Sequence, residues 1–164
     1  MEGLSEHQIS QFLHRSYGSV DGLWFMKVEE KYGFDAALEI DREVWKVLPK
    51  IQARMLKSML KLENGMDGLA KSLEARFGMD GFVYELEKLP NNVLKITISH
   101  CPWHQLMEKS GRAKLSGKVG DVVCVADYTA WSKEFGNEID FYTSCQICKG
   151  AESCVMIFSL PQPL

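Results

Sequence analysis

The hydrophobic period of the sequence changes once, near residue 81, and this change most constrains the fold. Before it, apolar residues recur at helical intervals, as in Leu69, Leu73 and Phe77. After it, apolar and polar residues alternate over Phe82–Glu87 and Leu94–Ser99, and the turn-forming run LPNN lies between these stretches. The pattern predicts a helical first half followed by a β-hairpin.

Capping and stop signals divide the first half into four or five helices. Ser5 with Gln8 makes a capping box for a helix through about Arg15, and Ser19 predicts a second helix that stops at Gly33. Further helices are predicted to start at Asp35, to kink or restart at Pro49, and to cover Met66–Phe77 before Gly78.

Two helices and two more strands are predicted after the hairpin. Pro102 suits a first helical position, which makes Cys101 an N-cap, and Ser116 is predicted to cap a second helix that runs to Phe135. The strands are Ile139–Ser144 and Cys154–Ser159. Without βαβ alternation, this order predicts an α+β fold: N-terminal helices plus a four-stranded antiparallel sheet with helices on one face. We expect a single domain, 1–164, helical over 1–80 and α+β over 81–164.

Charge and hydropathy narrow the class of protein. The net charge is −3 and no basic stripe is present, so nucleic acid is not an expected partner. No apolar run approaches the ~18 residues of a membrane span, and no secretory signal opens the chain, so we expect a cytoplasmic protein without a membrane partner. The Met-rich helix over 51–62 could pack in the core or against a second chain, which leaves a homodimer open.

All cysteines follow residue 100, and Cys101 has the most distinctive setting. A helix N-terminus stabilises a thiolate, so we expect a lowered pKa at Cys101 and faster alkylation than at the average thiol of the chain. His104, one turn on, could take a proton from Cys101, share a metal with it, or lie at the surface. The alternative for Cys101 is a cysteine that only fills a turn before proline.

A second group lies on the following helix. Cys124, Asp127, Tyr128 and Trp131 have the spacing of one helical face. A carboxylate beside a thiol could hold a cationic or amidine-like substrate, so this face is predicted to line a pocket. In that case Asp127→Asn should leave the fold intact. The alternative is a partly buried cysteine with a solvated aspartate.

Two short motifs each resemble half of a zinc site. Cys145-x-x-Cys148 and Cys101-x-x-His104 together would supply the four ligands of a tetrahedral zinc site. Alternatively, Cys145 ends a strand and points into the core. Cys154 alternates with Met156 and Phe158 and is predicted to be an inward core residue.

The runs HCPWH, CVADYTAW and CKGAESCVMIFSL resemble the L-2-amino-thiazoline-4-carboxylic acid hydrolase family. The N-terminal run HRSYGSVDGLWFMKVEEKYGFD is similar to an uncharacterised prokaryotic branch near that family, and the tail also resembles 4-vinyl-reductase-type small-molecule-binding domains. The chain departs from the hydrolase pattern in carrying Lys149-Gly150-Ala151 in place of paired glycines, and in its additional Cys145 and Cys148.

The resemblance implies a cysteine-dependent hydrolase of a small amidine- or thiazoline-like C–N ring. Cys124 or Cys101 would be the nucleophile, with Asp127 orienting the substrate and His104 as base. The substrate-binding residues would be the aromatic side chains Trp131, Tyr128 and Trp103. The alternative is a small-molecule-binding or sensory module with a zinc site, whose ligands would be Cys101, His104, Cys148 and Cys145, with Cys124 as a further candidate.

Overall fold

The computed structural model describes residues 3–161 and has the predicted α+β architecture. The helices are α1 (Glu6–Tyr32), α2 (Phe34–Trp45), α3 (Leu48–Met59), α4 (Met66–Asp80), α5 (Pro102–Lys109), α6 (Ala113–Val119) and α7 (Val125–Lys133). The strands are β1 (Val83–Leu89), β2 (Val93–His100), β3 (Asp140–Cys145) and β4 (Cys154–Ser159). No helix among the described residues combines the length and apolar character needed to cross a membrane.

The four strands form one antiparallel sheet, as the period-2 stretches predict. Their order is β1-β2-β4-β3. Ile96 at the centre of β2 faces Leu86 on one side and Met156 on the other. Because side chains alternate along each strand, this register brings the apolar positions of neighbouring strands onto the same face.

That apolar face of the sheet forms one side of the hydrophobic core. Its side chains are buried at Leu94, Ile96 and Ile98 of β2, while Val83 and Tyr142 on the edge strands are exposed. Helices α4 and α7 pack on this face of the sheet, and the aromatic side chains of Phe77, Trp131 and Phe135 are fully buried in the core. This packing positions α7, which carries the predicted Cys124 and Asp127 group.

The helices of the N-terminal half begin and end at different residues from those that the capping residues predict. The capping box of Ser5 and Gln8 is present, but α1 is one uninterrupted helix of 27 residues, so the predicted second start at Ser19 is wrong. Gly18 keeps a helical conformation, since an internal glycine costs a helix only about 1 kcal/mol. The helix ends at Gly33, whose φ of 87° favours glycine.

The chain falls into two compact units, one up to Asp41 and one from Arg42 on. This boundary differs from the predicted change of character at 80/81. Helices α3 and α4 belong to the second unit because they contribute Ala53, Leu69 and Leu73 to the core that covers the sheet.

The helix after α5 also begins and continues in a way that the sequence does not predict. Ser116 lies inside α6 and is not its cap; its hydroxyl donates to the carbonyl of Ala113 at 2.7 Å. Between α6 and α7 the chain forms a π-helical segment, Gly120–Cys124. Such segments are rare and frequently occur at functional sites, because the wider turn displaces the side chains that follow it.

Candidate functional site

The π-helical segment lies against the loop between β3 and β4. A Cβ built on Gly120 would be 2.8 Å from Sγ of Cys148 and 4.0 Å from Sγ of Cys124. One turn earlier, a Cβ on Gly117 would be 3.1 Å from the carbonyl oxygen of Cys148. These two glycines therefore let the loop approach the helix closely, and the thiols of Cys124 and Cys148 both lie beside Gly120.

Four thiols gather at this place: Cys101, Cys124, Cys148 and Cys154, which we call the thiol cluster. All four are free and half-buried. A negative charge on any one of them would be repelled by a negative charge on each of the other three. Burial is the main reason that the pKa of each of these four thiols is raised. The cluster is therefore a set of neutral thiols at physiological pH.

Cys101 occupies the predicted N-cap of α5 but does not have the predicted lowered pKa. The backbone N–H groups of His104 and Trp103 lie near enough to favour the thiolate, although the thiol forms no capping hydrogen bond. Burial outweighs that effect and raises the pKa of Cys101 to about 11. The expectation of a lowered pKa at Cys101 is thus wrong in direction, while its alkylation rate relative to the other thiols stays a prediction.

Cys154 and Cys145 lie at neighbouring ends of β4 and β3. Cys154 lies on the core side of β4, opposite Ile98, and its Sγ accepts the backbone N–H of Ile147 at 3.2 Å. Cys145 ends β3 at a bulge and lies near Cys154. Within residues 3–161, no group of three or more histidine, cysteine, aspartate or glutamate side chains is arranged to hold a metal ion.

The carboxylate of Asp127 points into the protein and is paired there. It accepts two hydrogen bonds from the guanidinium of Arg76, both of 2.7 Å, and both side chains are buried. Burial raises the pKa of Asp127, and Arg76 opposes that rise. Burial also opposes the charge of Arg76, but Asp127 raises the pKa of that guanidinium above its usual value. The charge that was predicted to hold a cationic substrate is balanced internally.

Aromatic rings complete the setting of this ion pair. The guanidinium of Arg76 lies 4.6 Å from the ring centre of Trp131 and 5.5 Å from that of Tyr128. The indole N–H of Trp131 donates to the hydroxyl of Ser72 at 2.9 Å. Trp131 and Tyr128 are both buried and contact side chains of α4, whereas Cys124, the fourth residue of the predicted face, lies in the π-helical segment before α7.

His104 and Trp103 are half-buried and have partners away from the thiols. Nδ1 of His104 is 3.1 Å from the hydroxyl of Ser116, which already donates its hydrogen elsewhere, so this contact favours a proton on Nδ1. Nε2 of His104 lies 3.6 Å from Glu108. Trp103 packs edge-on against Trp45, with ring centres 5.9 Å apart.

Sequence reasoning missed Arg76, Ser72 and the role of Gly120. A signal for the first two was present, since both occupy positions on the apolar side of α4 where Leu69, Leu73 and Phe77 predict only core residues. A polar residue on such a side needs a buried partner.

Comparison with known proteins gives one informative match. Residues 4–158 match a family of unknown function, DUF6125. The chain belongs to this family. No curated protein matches the sequence. The DUF6125 match spans both helical and sheet regions, so the thiol cluster and the Arg76–Asp127 pair fall within the segment that defines family membership.

Proposed function

We propose that this DUF6125 protein is a small-molecule-binding module that takes a thiophilic ligand at the thiol cluster. The observation that carries the proposal is that the thiols of Cys124 and Cys148 both lie beside Gly120. A neutral thiol is a poor nucleophile, but a thiophilic ligand can displace the thiol proton as it binds. Because no three side chains in the described part of the chain are arranged to hold a metal, the proposal concerns ligands that two neighbouring thiols can hold.

The internal pairing of Asp127 argues for this function over the catalytic role that the sequence suggests for that residue. A cationic substrate would have to compete with two short hydrogen bonds from Arg76. Such buried charge-assisted pairs are strong, and separating them leaves a charge uncompensated. We therefore expect the ligand to be held through sulfur rather than through a cationic group.

Phenylarsine oxide is a suitable probe of a two-thiol site. Its oxygen leaves as water with the two thiol protons, and two As–S bonds form. We expect one adduct per native chain by intact-mass spectrometry, with affinity at least about tenfold lower, or 1.4 kcal/mol, in Cys148→Ser. Cys145→Ser is the matched control and should bind as the wild type does. Absence of an adduct on the native protein, or equal losses in both variants, would contradict the proposal.

A thiazoline hydrolase is the second candidate function. Its structural support is the pair of backbone N–H groups, from Trp103 and His104, that favour a thiolate at Cys101 against the effect of burial. Incubation with L-2-amino-thiazoline-4-carboxylic acid should then yield a product one water molecule heavier, and Cys101→Ser should abolish its formation. Turnover that persists in Cys101→Ser and in Cys124→Ser would exclude both thiols as the nucleophile.

A further inference from the structure

Helix α1 exposes an apolar stripe between Ile9 and Trp24. We call the side chains of this stripe the outer face: Ile9, Phe12, Leu13, Val20, Leu23 and Trp24. Their exposed fractions lie between 39% and 68%, and α1 has no buried residue at all. Val20, Leu23 and Trp24 follow Ile9, Phe12 and Leu13 by about three helical turns each. All six side chains therefore lie on one side of the helix.

The outer face is large enough to form a stable contact between two copies. Each of its side chains exposes on the order of 100 Å², so pairing two copies would bury at most roughly 1,200 Å² from these side chains. This area reaches the lower end of the range for specific interfaces, about 1,200–2,000 Å².

Charge at the ends of the stripe selects the direction of pairing. Lys27 follows the outer face, pairs with Glu30 of the same helix at 2.8 Å and keeps a side chain that is 70% exposed, while the exposed Glu6 precedes the face. In a parallel pair, Lys27 of one copy would face Lys27 of the other, which is unfavourable. In an antiparallel pair centred between Ser16 and Tyr17, Glu6 instead faces Lys27 of the second copy.

The same centre also matches the sizes of the facing side chains. Leu13 then lies opposite Val20 of the second copy, and Ile9 lies opposite Trp24. The small Ser16 lies at the middle, where the two helices approach most closely. We propose that α1 pairs with α1 of a second copy of this chain as an antiparallel, two-fold helical pair.

The mass of the full chain in solution tests this proposal directly. Light scattering after size exclusion should give twice the chain mass of 18.6 kDa. Leu13→Glu should raise the dimer dissociation constant by at least about tenfold, because a carboxylate would face Val20 in the seam. His7→Glu adds the same charge to an exposed position on the opposite side of α1 and should leave the dimer intact. Circular dichroism of each variant checks that the helix is retained.

Charge rescue separates the antiparallel pair from other arrangements. Val20→Lys alone should also weaken the dimer, but an equimolar mixture of Leu13→Glu and Val20→Lys should recover it. In the mixed pair, Glu at 13 faces Lys at 20 while Leu13 and Val20 still meet at the other end. A monomeric wild type, a dimer insensitive to Leu13→Glu, or failure of the mixture to recover would each overturn the proposal.

Discussion

Replacing Asp127 with asparagine should destabilise the protein severely. The substitution removes the charge that balances Arg76 where both side chains are buried and joined by two 2.7 Å hydrogen bonds. Breaking such a pair from one side costs about 3–5 kcal/mol. Asp80, 3.4 Å from Nε of Arg76, stays in place and should keep the loss near the lower end of that range.

Urea unfolding followed by tryptophan fluorescence measures this loss. With a slope of about 2 kcal/mol per molar urea, a loss of ~3 kcal/mol lowers the midpoint by roughly 1.5 M. Asp121→Asn is a matched control, because Asp121 pairs with Lys149 at the surface and such pairs contribute about 1 kcal/mol or less. Replacing both partners, as Arg76→Met with Asp127→Leu, should cost less than the two single changes together.

A loss below about 1 kcal/mol in Asp127→Asn would refute this reasoning. The carboxylate would then not serve as the counter-ion of Arg76, and a ligand-binding role for Asp127 would regain support. The outcome thus also bears on the expectation from sequence that this substitution leaves the fold intact.

Three further predictions concern the core and the thiol cluster. Ser72→Ala should lower the free energy of unfolding by about 1–3 kcal/mol, because the indole N–H of Trp131 loses its acceptor. Alkylation of Cys101 by iodoacetamide should be slow at neutral pH and should rise with a midpoint near pH 11, since the folded protein holds the thiol proton more tightly than the unfolded chain. Gly120→Ala should displace the thiol of Cys148 and weaken phenylarsine oxide binding. The higher helix propensity of alanine, about 1 kcal/mol, offsets part of the cost of the clash with Cys148.

Each of these predictions has an internal control. Ser110→Ala removes an exposed hydroxyl and should change stability by less than about 0.5 kcal/mol. Denaturant should speed alkylation of Cys101 at pH 8, since unfolding removes the burial that raises its pKa; an unchanged rate would contradict the predicted shift. Gly78→Ala meets nothing within 4 Å and should stabilise α4 without affecting arsenical binding.

The sheet could be predicted from sequence because its information is local. Alternation over Leu94–Ser99 and over Cys154–Ser159 marks which side chains face the core, and the observed strands differ from the predicted ones by at most two residues at an end. Helix boundaries were harder, since Ser19 and Ser116 have the residue type of a cap but lie within helices. A cap requires a non-helical backbone at that residue, and composition alone does not determine it.

The candidate site depended on contacts between distant parts of the chain. The face shared by Asp127 and Trp131 follows from helical spacing, but its partner Arg76 lies in a different helix. The raised pKa of Cys101 arises from burial that only the packed structure supplies. The π-helical segment adds a residue to one helical turn, and no spacing rule applied to the sequence anticipates this local change.

The strand order β1-β2-β4-β3 has a consequence for how the chain folds during synthesis. Strands β1 and β2 can pair as soon as both have left the ribosome, but β3 pairs only with β4, which is made after it. Until Cys154–Ser159 emerges, one side of β2 has no neighbour and the nascent chain exposes an unpaired strand edge. Nascent chains that end before β4 should therefore be the form that chaperones hold, and release should follow completion of this strand.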